Sequence, residues 1–544
     1  MKRIISSTKL LQGSAACAAL LLASSNAGAQ GFTTPQQAYL KPVTGGDYTY
    51  RGLITVGEFV PRTGGGPNDN YQLVGIPDGM GITREGDNLA LYCSHEFANN
   101  QTSIPGKNGV LNPTNGTLSG TITNGPTFRG AFVSKYILNP TTGAVISAAP
   151  AYSKVFQDDT LVGDIQTSLN PSVRAFGRFC SGSLAGKESG FDRPIYFANE
   201  ETTGPTGAFD ARGSQSVAIF DNNGVGEAHA LSYLGFFPWE NTLVMPRFDG
   251  FTVVMGMEDG PATTDNQLYM YVGRKNRRAS TVLERNGLVN GKLYAWRSTN
   301  PAMNTEATFV AQGTSIAGEW VEIPNANTLS DAQLEAAVDN LPGGPAFGFV
   351  RTEDGTFDKR TPTKDYYFVS TGSGGPNQLG RMYQLTWTNP ANPIGPTTLK
   401  MIYNGDTVAA GGVGEDTAFS PDNMDNNGRF IMVCEDGTAP SRVAMTARGR
   451  DGYIWSFDLL NNFADKPQGE LNPPAPAPHN QPVTSGVWES SGIIDVSDFY
   501  GANKWIVNVQ AHPPTTAPAD TTENGQILMM SPNMSSSDPF EDAK

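Results

Sequence analysis

The 544-residue chain lacks several features that define common enzyme and membrane classes. It has only four histidines, which leaves little for a zinc site built from imidazole ligands. It has no Gly-Lys-Ser/Thr phosphate loop, no Gly-x-Ser-x-Gly elbow and no His-Glu-x-x-His helix. No apolar run after the first thirty residues approaches the ~18 residues that span a bilayer. The sequence therefore argues against P-loop enzymes, serine hydrolases with that elbow, zincins and helical membrane proteins.

Positive charge is also scarce, with 37 basic against 52 acidic side chains and a formal net charge of −15. An acidic chain repels a phosphate backbone unless its basic residues are concentrated. The short basic run at 274–278 is interpreted as a solvated loop, so no nucleic-acid partner is expected. With 62 glycines and 38 prolines, the chain is rich in turns. The sequence predicts an acidic globular protein, without a transmembrane segment, that we expect to be a monomer.

Residues 1–29 have the features of a signal peptide. A basic start containing Lys2 and Arg3 precedes an apolar core, and Ala27-Gly28-Ala29 is a small-x-small cleavage site. We therefore expect export to the periplasm or the extracellular space. Cleavage would leave an odd number of cysteines, at least one of them unpaired, buried or metal-bound. The three that remain are Cys93, Cys180 and Cys434.

Six strongly apolar or aromatic strands recur, each followed at once by polar residues or glycines. They cover residues 91–96, 195–201, 253–259, 366–371, 430–436 and 505–512. A second, alternating strand follows each of them, at 132–138, 216–220, 268–272, 382–387, 453–457 and 527–530. The best helix signal covers only 330–338. This pattern favours an all-β, six-bladed β-propeller with irregular loop insertions over a sandwich. We expect residues 30–544 to form this single domain and to end in a flexible C-terminal tail.

Acidic side chains follow most of these strands. A single acidic residue after a strand is most simply explained as part of a solvated turn. Because acidic residues follow most of the strands, however, we expect their carboxylates to converge on a central channel. Converging carboxylates raise one another's pKa unless cations neutralise them. Oxygen ligands in this number suit calcium, or iron when nitrogen or sulfur joins them. The residues concerned are Glu96, Glu200, Glu201, Glu258, Asp259, Glu353, Asp354, Asp422, Glu435 and Asp436.

Five ordered segments between about residues 75 and 515 carry a family resemblance. They are a strand ending in His-Glu (90–97); Cys-Ser-Gly (180–182) before a strand ending in Glu-Glu (196–201); Glu240 before segments 253–259 and 266–272; Phe-Val-Arg-Thr-Glu-Asp-Gly (349–355); and closing motifs at 420–423, 434–437, 489 and 508–513. Together they resemble the PhoX-type alkaline phosphatases, secreted bacterial propeller enzymes.

The resemblance implies a phosphoric ester hydrolase that acts on small-molecule phosphate monoesters at an iron and calcium cluster in the propeller channel. It implies that Arg351 is the catalytic residue that holds the substrate phosphate. On an extended strand Arg351 and Glu353 would point to the same face. The metal ligands implied are Glu96, Cys180, Glu200, Glu201, Glu240, Asp259, Glu353, Asp422 and Glu489.

Two other functions stay open on the sequence alone. One is a calcium-dependent lactonase or phosphotriesterase on a similar scaffold, and the other is a non-catalytic secreted propeller that binds calcium for its structure. A guanidinium at 351 favours the phosphatase over the lactonase, because a neutral lactone needs no cationic clamp. A thiolate ligand at Cys180 favours it over a structural calcium site. Cys93 and Cys434 lie inside apolar strands and are predicted to belong to the core.

Overall fold

The structure, a computed structural model, describes residues 31–164, 175–409, 416–472, 485–513 and 517–533. The predicted signal peptide and the predicted tail beyond residue 533 lie outside these residues. None of the described helices is long and apolar enough to cross a membrane. β-strands dominate the described chain, and the all-β prediction is confirmed.

The strands are numbered in chain order. The N-terminal strands are β1 (Leu40–Pro42), β2 (Tyr48–Thr55), β3 (Phe59–Pro61), β4 (Asp69–Gln72), β5 (Pro77–Glu85), β6 (Asn88–His95), β7 (Thr102–Ser103), β8 (Gly106–Asn112), β9 (Thr117–Asn124), β10 (Phe128–Arg129), β11 (Phe132–Leu138), β12 (Val145–Pro150), β13 (Lys154–Gln157) and β14 (Thr160–Asp164). The middle strands are β15 (Phe179–Ala185), β16 (Ile195–Glu200), β17 (Ser216–Asp221), β18 (Gly226–Ala230), β19 (Trp239–Val244), β20 (Phe251–Glu258), β21 (Leu268–Arg274), β22 (Lys292–Ser298) and β23 (Ser315–Ile323). The C-terminal strands are β24 (Thr352–Phe357), β25 (Asp365–Ser370), β26 (Arg381–Trp387), β27 (Thr397–Asn404), β28 (Pro421–Asn426), β29 (Phe430–Glu435), β30 (Tyr453–Asp458), β31 (Ala464–Leu471), β32 (Glu489–Asp495), β33 (Trp505–Ala511) and β34 (Asn524–Pro532).

Helices are short and lie in the connections between strands. Ser330 caps the helix Asp331–Asp339 in a capping box with Gln333, as the helix signal at 330–338 predicts. The α-helices are α1 (Val282–Arg285), α2 (Asp331–Asp339), α3 (Gly405–Ala409), α4 (Ala439–Ala447) and α5 (Ser497–Tyr500), and 3-10 turns cover Lys187–Ser189, Ser232–Leu234, Pro301–Met303 and Ala326–Thr328.

Six four-stranded antiparallel units share one pattern, in which each strand pairs with the next one in the list. They are β5-β6-β11-β12, β15-β16-β17-β18, β19-β20-β21-β22, β24-β25-β26-β27, β28-β29-β30-β31 and β32-β33-β34-β2. Strand β23 joins the third and fourth units by pairing with both β22 and β27. The sixth unit takes its last strand from the N-terminal part of the chain, since Tyr48 of β2 lies opposite Pro532 of β34. This pairing ties the two ends of the described chain into one sheet.

The first strands of the six units contact one another in turn. Strand β5 contacts β15, followed by β19, β24, β28 and β32, and β32 contacts β5 again. Segments that are distant in the sequence therefore meet around one ring. The twelve strand segments predicted from the sequence correspond to the second and third strands of these units, which pair with each other in every unit.

Each first strand carries a β-bulge at the same place. Pro77 pairs with His95 but Met80 pairs with Cys93, so the first strand has one residue more than its partner. The same shift follows Phe179, Trp239, Thr352, Pro421 and Ser490. Bulges re-aim side chains and often lie beside active sites. The residues at the first bulge position are Asp78, Cys180, Glu240, Glu353, Asp422 and Ser491.

Aromatic and aliphatic side chains fill the space between neighbouring units. Between the second and third units, Phe237 stacks on Trp239 at 4.1 Å and on Tyr269 at 4.2 Å, measured between ring centroids, and Phe197 belongs to the same cluster. Burying one such side chain contributes about 1.5–3 kcal/mol to the free energy of unfolding. The apolar layers between units therefore provide the stability that lets the first strands carry polar groups.

Candidate metal centre

Seven acidic or thiol side chains form one continuous row along the first strands. Within each of three groups, the candidate ligand atoms lie within 4.8 Å of one another. The groups are Asp78, Glu96 and Cys180; Cys180, Glu201 and Glu240; and Glu240, Glu353 and Asp422. Because Cys180 and Glu240 each belong to two groups, the three groups are connected.

The bulges and the ends of the second strands explain why these residues meet. Five members of the row occupy the bulge position of their first strand, and Glu96 and Glu201 directly follow the second strands β6 and β16. Neighbouring first strands are in contact, so equivalent positions on them come close together. The row is therefore a consequence of the bulge that the first strands share and of the ends of two second strands.

Glu200 does not join the row, although the resemblance implies that it is a ligand. Its Oε1 accepts hydrogen bonds from the backbone N–H groups of Gly177, at 3.0 Å, and Phe209, at 2.9 Å. Successive side chains of a strand point to opposite sides, so only one member of an adjacent acidic pair can face the row. Here Glu201 faces it. We leave Glu200 out of the ligand set.

Two other predicted strand-end acids are likewise held elsewhere. Glu435 forms an ion pair with Arg450, with Nη1 at 2.6 Å from Oε2, and accepts the indole N–H of Trp455. Asp354 accepts hydrogen bonds from the amide of Asn241 and from the backbone N–H of Met424. These carboxylates satisfy buried donors and are structural.

Arg351 lies against the row and is held by carboxylates. Its Nε donates to both oxygens of Asp259, at 2.9 and 3.2 Å, and its Nη2 is 2.8 Å from Asp259 Oδ2 and 3.1 Å from Glu353 Oε1. Its Nη1 has a longer contact of 3.6 Å to Asp436. The predicted extended geometry is wrong, because Arg351 precedes β24 and has a φ of 54°. The left-handed residue and the bulge bring the two side chains together instead.

The sequence reasoning missed Arg178, which occupies the equivalent position in the second unit. Its φ is 46°, its Nε donates to Glu96 Oε1 at 2.9 Å, and its Nη2 lies 2.8 Å from Glu201 Oε2. A signal was present in the sequence, since Arg178-Phe179-Cys180 and Arg351-Thr352-Glu353 share the same spacing. Asp78 was also missed, although Pro77-Asp78 repeats the pair Pro421-Asp422.

Glu489 lies beside the row but in none of the three groups. Its Oε1 is 3.9 Å from Nε2 of His512, whose Nδ1 is 2.7 Å from Glu523. Burial and Asp436 raise the pKa of Glu489 to about 7. Burial opposes protonation of His512, but its interactions with the carboxylates of Glu489 and Glu523 prevail and raise its pKa.

The bulge position of the sixth unit carries a neutral donor instead of an acid. Ser491, at its bulge position, donates to Asp78 Oδ1 at 2.5 Å. The amide of Gln510 donates to Asp78 Oδ2 at 2.7 Å and to Glu96 Oε2 at 3.1 Å. The acidic row is therefore anchored at this end by hydrogen bonds.

The electrostatics of the row indicate a need for cations. Burial, followed by neighbouring carboxylates, raises the pKa of Asp78, Glu240, Glu353 and Asp422 well above the usual range. Burial raises the pKa of Glu201 to about 8 even though Arg178 opposes the shift. Burial and Glu240 also raise the pKa of the Cys180 thiol.

Glu240 provides the clearest test of whether metal ions fit. The residue is fully buried, and both carboxylate oxygens lack a hydrogen-bond partner among the described residues. Such groups are rare in proteins, because a buried acceptor without a donor is costly. A cation among Glu240 and its neighbours would satisfy both oxygens. The donor set fits the predicted metals, since carboxylates suit calcium and a thiolate suits iron.

Comparisons with known proteins show a likeness of fold. No known family model and no curated protein matches the sequence. Among solved structures, Pseudomonas fluorescens PhoX in complex with vanadate, a transition state analogue, superposes with a TM-score of 0.60 and 14% identity, over 92% of this chain and 98% of that chain. The chain shares its fold with PhoX.

Two further solved structures are much less similar. A thermostable family-43 glycoside hydrolase has a TM-score of 0.21 at 11% identity, over 61% of this chain and 91% of its own. An α-L-arabinofuranosidase of Clostridium thermocellum has a TM-score of 0.24 at 11% identity, over 73% of this chain and 94% of its own. Neither carries an argument about this chain. At 14% identity, the comparison with PhoX shows a likeness of fold alone.

Proposed function

We propose that the protein is a metal-dependent phosphatase that hydrolyses phosphate monoesters at iron and calcium ions held by the acidic row. The observation that carries this proposal is the pair of equivalent arginines, Arg178 and Arg351, that converge on a row of buried carboxylates and one thiol. The shared fold supports it, because PhoX is described in complex with vanadate, a transition state analogue.

The proposal includes a six-bladed β-propeller as the scaffold. Six units of one pattern, first strands that contact one another in a ring, and a last unit completed by an N-terminal strand all support it. In such a scaffold the bulge positions surround a central channel. In this scaffold the row lies on the wall of the channel, near one of its two ends.

The residues proposed to hold the metal ions are the seven members of the row. Cys180, Glu201 and Glu240 offer a thiolate and carboxylates, which suits iron, whereas Glu240, Glu353 and Asp422 offer oxygen ligands alone, which suits calcium. Asp259 and Glu489 flank the row. Asp259 already bonds Arg351, so its first role is to orient that guanidinium group.

The arginines would bind the phosphoryl group of the substrate. When bound, the cations would neutralise phosphoryl oxygens and lower the pKa of the attacking water. Asp259 and Glu353 hold Nε and Nη2 of Arg351, which leaves Nη1 to donate to a phosphoryl oxygen. Glu96 and Glu201 orient Arg178 in the same way. Charge-assisted hydrogen bonds of this kind are strong and directional.

Two guanidinium groups disfavour the alternative functions. A lactonase acts on a neutral ester and needs no such pair, and a structural calcium site needs neither the arginines nor the thiol. Small-molecule phosphate esters are thus the proposed substrates. Export to the periplasm or the extracellular space and a monomeric state remain predictions.

Removal of the metal ions should lower both activity and stability. Without cations, buried carboxylates that repel one another remain in the native state, and a ligand that binds only the folded protein stabilises it. We expect at least two equivalents of calcium plus iron after gentle purification. Treatment with EDTA should then lower the melting temperature and the turnover of p-nitrophenyl phosphate, and calcium and iron should restore both. Fewer than two equivalents would contradict the proposal.

The Cys180→Ser variant should lose a visible absorption band. A thiolate bound to iron gives a charge-transfer band, so the purified protein is expected to be coloured. Cys93→Ser and Cys434→Ser are matched controls, because both thiols are fully buried in the core and the Cys434 Sγ donates to the backbone oxygen of Ser491 at 3.2 Å. If all three variants keep the wild-type spectrum, Cys180 is not an iron ligand.

A further inference from the structure

Phe248 is the most exposed large apolar side chain in the described part of the chain, with 80% of its surface accessible. It lies in the loop between β19 and β20. Hydrogen bonds made by residues on both sides of Phe248 fix the shape of this loop. Arg247 is buried and its Nε donates to Asp249 Oδ1 at 2.9 Å, and the same oxygen accepts the backbone N–H of Phe251. The loop therefore holds the ring in solvent. A large apolar group held outside in this way marks an interaction site when other features join it.

Exposed cationic residues lie in the loops that adjoin Phe248. The backbone N–H of Lys275 donates to the carbonyl of Gly250 at 2.9 Å, and Arg277 donates to the carbonyl of Gly190. A Cβ atom on Gly190 would lie 3.5 Å from the Cα of Phe248, so the three loops adjoin. The resulting surface, called the Phe248 patch, consists of Lys187, Phe248, Arg274, Arg277 and Arg278, all of them exposed.

The charge of the patch is opposite to that of the whole protein. Four exposed cations lie together in a chain whose net charge is −15. Asp249 is paired with Arg247, Glu188 lies beside Lys187, and the backbone carbonyl of Glu284 accepts the N–H of Asn276. Lys275 is not counted, because its ammonium group bonds the carbonyl of Phe251 and burial lowers its pKa to about 8. The patch therefore carries a local positive charge around an apolar tip.

The patch and the acidic row lie at opposite ends of one strand. Strand β20 begins at Phe251, beside the patch, and ends at Glu258, next to Asp259. Eight residues of a strand span roughly 25 Å. A surface bound at the patch would leave the end that carries the row accessible to solvent.

We propose that the Phe248 patch binds the surface of an anionic phospholipid membrane. The ring of Phe248 enters the boundary between headgroups and acyl chains, and the four cations around it contact lipid phosphates. The combination favours a lipid surface over a purely polar polyanion, which would use the charges but would offer no apolar layer for the ring. The proposal does not depend on the phosphatase activity.

Vesicle flotation tests the proposal with the exported form of the full chain. Vesicles with about 30% phosphatidylglycerol in phosphatidylcholine should carry the protein upward, and pure phosphatidylcholine vesicles should not. Raising the salt should weaken binding, because it screens the charges. Arg278→Glu should weaken binding about 25-fold. The substitution changes the charge by two units, and each unit near an anionic surface changes the binding constant by about fivefold. Phe248→Ser should weaken it about tenfold.

Matched controls make the same chemical changes at exposed positions outside the patch. Arg62→Glu removes an exposed arginine, and Leu460→Ser removes a side chain that is 62% exposed. Both should bind like the wild type, and all variants should keep wild-type far-ultraviolet circular dichroism. The proposal is overturned if the wild type does not float, if the controls weaken binding as much as the patch variants, or if heparin or duplex DNA binds more tightly than the vesicles.

Discussion

Replacing Arg351 with lysine should lower the turnover of p-nitrophenyl phosphate by about 30- to 1,000-fold. Lysine keeps the positive charge but loses the planar fork, so it cannot contact Asp259, Glu353 and a phosphoryl oxygen at once. Removing one charge-assisted contact to a transferring group costs about 2–4 kcal/mol in transition-state binding. The loss should appear mainly in kcat, because the contact strengthens as charge develops.

Metal content must be measured on the same samples, because Arg351 also bonds two carboxylates at the row. With calcium and iron at wild-type levels, lost turnover assigns the effect to the contact between Arg351 and the transferring phosphoryl group. Arg178→Lys should lose turnover by a comparable factor, since Arg178 holds the equivalent position. Arg285→Ala is the control, because this arginine pairs with Asp192 away from the row. Near-wild-type turnover by Arg351→Lys and Arg351→Ala with full metal loading would remove Arg351 from the proposed mechanism.

The second and third strands of each unit are easier to predict from the sequence than the first strands. The second and third strands of each unit are buried on both faces and read as apolar or aromatic runs, so their positions could be predicted. The first strands are bulged and rich in glycine, proline and polar residues, as in Pro77-Asp78-Gly79-Met80-Gly81. Sequence patterns do not signal such strands. Asp78 lies on one of them and was missed, because the pair Pro77-Asp78 is too short a repeat of Pro421-Asp422 to be recognised by itself.

The sequence also could not decide which acid of an adjacent pair belongs to the site. Glu200 and Glu201 are chemically alike, and a shift of one residue exchanges the two faces of a strand. Only the observed register shows that Glu200 bonds backbone N–H groups while Glu201 reaches Cys180 and Glu240. The family resemblance gave both residues the same role. The observed register places only Glu201 among the other candidate ligands.

The Glu240→Gln variant should change stability in opposite directions with and without metal ions. With calcium and iron bound, the variant loses a shared carboxylate ligand, so metal content and melting temperature should fall and turnover should drop roughly 100-fold or more. After EDTA treatment, the variant should be more stable than the wild type by about 1–3 kcal/mol, because a buried acceptor without a partner has been removed. The glutamine amide can also donate to the carboxylates of Glu201, Glu353 and Asp422 nearby.

Glu200→Gln is the matched control for this reversal of sign. Glu200 is as deeply buried as Glu240, but its Oε1 accepts two backbone N–H groups. Because Glu200 lies outside the row, its replacement should change the free energy of unfolding by a similar amount with and without metal ions, and metal content should stay unchanged. Urea unfolding of both variants and the wild type, each with and without EDTA, measures the four differences. If Glu240→Gln is destabilising in both conditions, the carboxylate already has a protein partner and is not held in place for a cation.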